Sequence, residues 1–314
     1  MISAEGAKRI SLLYQVARVH GSLVSLGDLV HLMPDRISEG ELADAIQSHP
    51  VLSSRFTLRS GYVVEKGAEL DPQQALAEER NSRARASTNL WHASRFAPFI
   101  ASSQFEMVGV SGSTSYRSAS RSKDLDLFCV APSGTMWISL SKALILSRLF
   151  TLVNRESPPI CLSCVMDENY ARKTFSADQG ALFARDALET VVLIGEPKYR
   201  SLMGSASWIS TIYPTAFARR STQSGDLPPL ARSSAWKRAF NRLLFVLAGS
   251  YIGVKSSVLN RRLSRRREPD SAFTLRKGVD HLIYESRRYE KLRTHYTAVS
   301  ANGEVSNGGT ASRV

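Results

Sequence analysis

The chain reads as a mixed α/β (α+β) protein, and three observations carry that reading. Between Met107 and Ala131, two apolar runs flank a Gly-Ser bend and the triplet Asp124-Leu125-Asp126, the pattern of strand, turn and strand. Ahead of residue 70, three stretches with helical spacing lead into a hairpin pattern. Beyond residue 220, a long basic stretch has helical character. The 314 residues suffice for two or three domains at about 100–200 residues each. The expected division is 1–70, 71–220 with a leading linker helix, a basic helical region 221–299, and a disordered tail 300–314.

In the first part, residues 8–21 place Ile10, Leu13, Val16 and Ala17 at helical spacing. A short helix, Leu26 to Leu32, stops before Met33-Pro34. Ser38 with Glu41 three residues on forms a capping box that opens a helix carrying Leu42, Ala45 and Ile46. Arg55–Leu58 and Tyr62–Val64 around Ser60-Gly61 predict a β-hairpin. Three helices and a hairpin are the order of a winged helix-turn-helix. The helix that would enter DNA offers Glu39, Glu41 and Asp44 and no Lys or Arg, a poor face for phosphates. A protein-contacting role fits it better.

Asp71-Pro72 starts a helix, with Pro at the first helical position, that runs to about His92 or beyond. Leu76, Leu90, Trp91 and Phe96 are its expected packing residues. Phe105–Val110 and Leu125–Ala131 are the first two core strands, Ser139–Asn154 an apolar helix over the sheet, and Ile160–Met166 the third strand. Residues 221–234, rich in Ser, Pro and Gly, read as a loop. Phe273–Tyr296 reads as an amphipathic helix with Leu282, Ile283, Tyr289 and Leu292 inward.

Net charge is +13 and the pI about 9.9, which favours polyanionic partners: nucleotides, nucleic acid or an anionic membrane. From Ala231 to His295 there are 16 Lys or Arg against 5 Asp or Glu, a net of +11, densest at Arg261-Arg262 and Arg265–Arg267. That run is a groove for a polyanion or a solvated helix end. The three cysteines, Cys129, Cys161 and Cys164, sit in strand-like runs and read as buried thiols. No second CxxC pair completes a zinc site. An odd count and no secretory signal point to the cytoplasm. Leu243–Val254 is well short of the ~20 residues a bilayer span needs, so no transmembrane segment is expected.

The chemistry concentrates at the Gly-Ser bend. Residues two apart in a strand share a face, so Asp124 and Asp126 project together. Adjacent carboxylates repel unless a cation lies between them, and hard oxygen donors suit Mg²⁺. Gly112 lets backbone approach a ligand, and N–H groups at a turn attract phosphate.

Apolar-Gly-Ser, ten intervening residues (114–123), then Asp-x-Asp in an apolar strand resembles the signature of the nucleotidyltransferase superfamily that includes DNA polymerase β. Ala181–Thr190, Gly195-Glu196-Pro197-Lys198-Tyr199, Trp208 and the later FTLRKGVDHLIYESRRYEKL extend the likeness over about residues 75–295. There the chain looks like a largely uncharacterised bacterial and archaeal group of nucleotidyltransferase-domain proteins. The resemblance implies a polymerase β-like domain between an N-terminal winged helix and a C-terminal helical region. It implies transfer of a nucleoside monophosphate from an NTP, with ATP the expected donor and RNA or another polyanion a candidate acceptor. Asp124 and Asp126 would hold Mg²⁺ or Mn²⁺, and Gly112, Ser113, Arg117 and Lys123 would meet the nucleotide.

Two departures stand out. Relatives carry a third carboxylate on the third strand, where this chain has Ile160, Cys161, Leu162 and Ser163. Asp167 reaches round as third metal ligand, or two carboxylates suffice, or the site binds nucleotide without efficient turnover. Arg117 stands where many relatives have Gly. The alternative function is a nucleotide-sensing or nucleic-acid-binding regulator with a degraded transferase site.

Overall fold

A computed structural model describes residues 2–19, 23–33, 36–67, 72–101, 104–117, 119, 124–221, 233–265, 272–287 and 289–294. The expected tail 300–314, most of the expected loop 221–234, Arg121, Lys123, Arg266 and Arg267 lie outside the described residues. The architecture is mixed α/β (α+β) with two sheets.

The N-terminal part holds α1 (Ala4–Val19), β1 (Val24–Ser25), α2 (Leu26–Leu32), α3 (Glu39–Ser48), α4 (Pro50–Arg55), β2 (Phe56–Arg59) and β3 (Tyr62–Glu65). Its strands form an antiparallel sheet in the order β1-β3-β2. The turn between β2 and β3 uses Ser60 (φ 49°) and Gly61 (φ 78°), the left-handed pair that matches strand twist. Ser38 caps α3 through a full capping box, and Leu42, Ala45 and Ile46 are its buried face, as the spacing implies. Glu39, Glu41 and Asp44 are exposed. This part is not a free appendage. The Arg9 guanidinium donates to the Ile212 carbonyl (2.9 Å), Leu23 N–H donates to Glu79 (3.1 Å), and one apolar core runs through both regions.

The second sheet positions the candidate site. α5 (Pro72–Ala101) leads to β4 (Met107–Val110), α6 (Gly112–Ser115), β5 (Leu125–Ala131), α7 (Met136–Val153) and β6 (Ile160–Asp167). Then come α8 (Glu168–Ser176), α9 (Ala181–Glu189), β7 (Val191–Ile194), α10 (Glu196–Ser205), α11 (Ile209–Ile212), α12 (Pro214–Ser221), α13 (Ala235–Arg265), β8 (Phe273–Lys277) and β9 (His281–Ser286). The strand order is β7-β4-β5-β6-β9-β8. Only the β5–β6 pair is parallel, joined by the α7 crossover.

Alternation divides the sheet. Met107, Phe128, Val130 and Met166 face one core, which includes side chains of α8 to α12. Val108, Val110, Leu127, Cys129 and Val165 face the other, with α5, α7 and α13. Trp91, expected to pack, is exposed instead, with Arg95 over its ring (4.9 Å); the buried line of α5 runs through Ala93, Phe96 and Ile100.

Phe273–Tyr296 is not one helix. Two β-rich runs, FTLRK and HLIYES, flank Gly278-Val279-Asp280 and pair as the β8–β9 hairpin, which adds to the large sheet beside β6. Gly278 N–H closes the turn on the His281 carbonyl (2.8 Å). Among the described residues, helix returns at 287 and 289–294, where Leu292 is buried. Local strand propensity and an open sheet edge outweighed the helical spacing of Leu282, Ile283 and Tyr289. The C-terminal stretch therefore contributes strands as well as helix.

Gly195 shows how closely the layers meet. It sits between β7 and α10 at φ 79°, and a Cβ there would lie 1.9 Å from the Glu106 carbonyl oxygen. Gly195→Ala should therefore cost about 3 kcal/mol from backbone strain and steric clash. Urea unfolding measures it, and a loss below ~1 kcal/mol would contradict this packing.

Candidate functional site

The site forms where β4 ends against the start of β5. Their antiparallel register pairs Val110 with Leu127, so the chain leaving β4 turns over Asp126. Ser111 N–H donates to the Asp126 carbonyl (3.0 Å). Gly112 then takes φ 65° and opens α6. A Cβ on Gly112 would stand 2.9 Å from Asp126 Oδ2 and 3.5 Å from its Cγ. Both the conformation and the space demand glycine here. The Gly-Ser bend and the second aspartate, fourteen positions apart in sequence, are in contact.

Asp124 is exposed just ahead of β5, and Asp126 is half-buried two residues on. Burial pushes the Asp126 carboxyl up to about 6, and the charge of Asp124 adds to the shift. Hydrogen bonds from Ser163 and Cys161 act the other way. Partial desolvation also raises Asp124. The parallel register sets Cys161 opposite Asp126, with an irregularity before Phe128 pairs with Cys164. Cys161 and Ser163 therefore stand against Asp126 where the resemblance leads one to look for a third acid. The Cys161 thiol is pushed up by burial and by both aspartates. It remains a neutral donor at pH 7, not a thiolate ligand.

Asp167, the candidate third metal ligand, does not reach the dyad. It pairs with Ala131, five residues up β5 from Asp126, or about 16 Å along a strand rising about 3.3 Å per residue. Ala131 belongs to the opposite sheet face. The Asp167 carboxylate caps α8 by accepting from Tyr170 N–H (3.0 Å) and also accepts from Gly134 N–H (2.9 Å). Glu168 is likewise committed, to Lys198 (2.5 Å) and Arg172 (2.6 Å). Among the described residues, no group of three or more His, Cys, Asp or Glu could hold a metal ion.

Arg117 is exposed at φ 54°, its N–H bonded to the Thr114 carbonyl (3.1 Å), and its charge reaches Glu189 of α9. Ser113 lies in the first turn of α6. Sequence reasoning missed what braces the loop after the bend. Tyr116 donates to the half-buried Asp186 carboxylate of α9, Tyr289 also bonds that carboxylate, and Arg185 lies over the Tyr116 ring (4.8 Å). No local signal marks a contact across seventy residues. Cys161 and Ser163 were legible as strand residues, but their register against Asp126 was not.

The chain matches no family model, no curated protein and no solved structure.

A carboxyl raised on folding binds its proton more tightly in the native state, so it opposes folding once ionised. In metal-free buffer, wild-type stability should fall as pH rises from about 4 to about 6. Asp124, Asp167, Asp186 and Glu189 are raised as well, so Asp126→Asn should lessen that slope rather than abolish it, and gain about 1–2 kcal/mol at pH 7, discounted for partial exposure. Parallel pH profiles for the two proteins would contradict the burial of this carboxylate.

Proposed function

We propose that the chain binds a nucleoside triphosphate with a divalent ion at the Gly112–Asp126 junction and transfers its monophosphate to an acceptor. On this reading the large sheet is a polymerase β-like nucleotidyltransferase core and the N-terminal unit a winged helix. The observation that carries it is the contact between the Gly112 bend and the Asp126 carboxylate. Two motifs with no local reason to meet converge, with room left only for hydrogen.

The donor set suits a divalent ion. Asp124 and Asp126 offer hard oxygens, and burial together with mutual repulsion makes ionised Asp126 costly without a cation. These two residues would hold Mg²⁺ or Mn²⁺, which would supply charge neutralisation on the phosphates. The protein's own part is orientation. The Gly112–Ser113 turn would receive the leaving phosphates on its backbone, and the Tyr116–Asp186 contact ties the end of α6 to α9. An acceptor hydroxyl forms a bond to the α-phosphorus. The bond from that phosphorus to the bridging oxygen breaks, pyrophosphate leaves, and the hydroxyl proton passes to solvent.

A second reading rests on Cys161 and Ser163. Neither supplies the negative charge of a third carboxylate, which favours a site that senses nucleotide without turning it over. The acidic exposed face of α3 favours a protein contact over DNA in that case.

Labelled ATP with Mg²⁺ or Mn²⁺ should yield pyrophosphate and a labelled acceptor or self-labelled chain. Asp124→Asn and Asp126→Asn should each lower the rate by at least about a hundredfold. Unchanged turnover in the double variant rejects the transferase. Saturable ATP binding without pyrophosphate release, with release gained in Cys161→Asp, selects the sensing reading.

A further inference from the structure

α7 and α13 are each apolar on two sides, and among the described residues only one side of each is covered. Both are long and apolar enough to cross a membrane by length and composition, yet they lie against the sheet. The inner side of α13 is fixed. Asn241 accepts from Trp137 N–H (2.7 Å) and donates to the Val279 carbonyl (3.1 Å). Lys277 donates to the Gly249 carbonyl (2.6 Å), and Asn260 bonds both the N–H and the carbonyl of Phe273. These bonds keep the helix from rotating its other side inward.

That other side is an apolar stripe: Trp236, Phe240, Leu243, Leu247 and Val254 recur at steps of four, three, four and seven, the spacing of one helix face. The outer side of α7 continues it with Ile145, Leu149 and Leu152, the last 73% exposed. Among the described residues, thirteen of the seventeen exposed large hydrophobic side chains belong to these two helices. Soluble monomers rarely leave so much apolar surface together.

Charge identifies what covers it. Neither helix contains an Asp or Glu, while together they carry nine Lys or Arg. Arg238 and Arg242 precede the apolar centre of α13, and Lys255, Arg261, Arg262 and Arg265 follow it; all six are exposed. An apolar stripe between cationic ends is the make-up of a helix lying in the plane of an anionic bilayer, with aliphatic side chains among the acyl chains and arginines at the headgroups. A second copy packed on the same face would bring the cationic ends of two such helices together with no Asp or Glu on either helix to offset them. Nucleic acid would meet an aliphatic centre (Leu243, Leu247, Val254), with Trp236 and Phe240 at one end of the stripe and not spaced along it as a stacking platform.

We propose that the α7–α13 face is a docking surface for an anionic lipid bilayer, with α13 lying along the membrane rather than through it. Asp126 sits on β5 between Leu125 and Leu127, which face the α7–α13 core, so its side chain projects from the other sheet face, away from the docking surface. The inference rests on these helices alone and does not depend on nucleotide transfer.

The full chain is mixed with vesicles of phosphatidylcholine alone or of phosphatidylcholine with phosphatidylserine, and sedimented. Binding is expected to the phosphatidylserine vesicles and to weaken with added salt. Leu243→Glu with Leu247→Glu should weaken it by about tenfold or more. Arg261→Glu with Arg262→Glu should reduce the preference for phosphatidylserine. All four substitutions are on exposed positions, so circular dichroism and thermal melting should be unchanged. Three results would each overturn the proposal: wild type left in the supernatant with both vesicles, folded variants that bind like wild type, or a concentration-dependent dimer that the leucine variants abolish.

Discussion

Gly112 carries no side chain into the space beside Asp126, and the candidate site depends on that gap. The antiparallel pairing of β4 and β5 brings the bend over the aspartate, and the left-handed backbone of Gly112 turns the chain without lifting it away. A larger residue would have to displace the carboxylate or open the strand pair. The same closeness buries Asp126 and raises its carboxyl to about 6. Ionised Asp126 is thus costly in this setting, and on the proposed function a bound cation would offset that cost.

The sheet gives its two faces different work. Toward α8–α12 it carries Asp126, with Cys161 and Ser163 beside it and the Tyr116–Asp186 contact tying the end of α6 to α9. Toward α5, α7 and α13 its central strands are apolar, and α7 and α13 are apolar on their far sides as well. The proposed chemistry and the proposed docking would thereby lie on opposite faces of one sheet. The β8–β9 hairpin links them, since it extends the sheet while Lys277 and the turn carbonyls anchor α7 and α13.

Much of this was legible before any coordinates. Ser38 with Glu41 fixed the start of α3, and Pro72 the start of α5, because caps act within one helical turn. The bounds of β5 followed from its apolar run. Asp124 and Asp126 were identifiable as a pair because a strand alternates every two residues. What could not be read was anything set by register between distant strands. The contact of Gly112 with Asp126, the place of Cys161 opposite that acid, and the remoteness of Asp167 all follow from pairing. The β8–β9 hairpin was hidden for a related reason. Leu282, Ile283 and Leu292 satisfy a helical period, and only the free edge of β6 selects strand. The outer faces of α7 and α13 were also obscured, since an apolar helix looks the same whether protein covers it or not.

The claim that the two acids and the glycine bend form one metal-nucleotide site is tested most directly by crystals grown with Mn²⁺ and a non-hydrolysable ATP analogue. The expected result is an anomalous peak between the Asp124 and Asp126 carboxylates, with the phosphates on the Gly112–Ser113 turn. Ordered nucleotide elsewhere, or no Mn²⁺ peak at the two acids under saturating conditions, would contradict it.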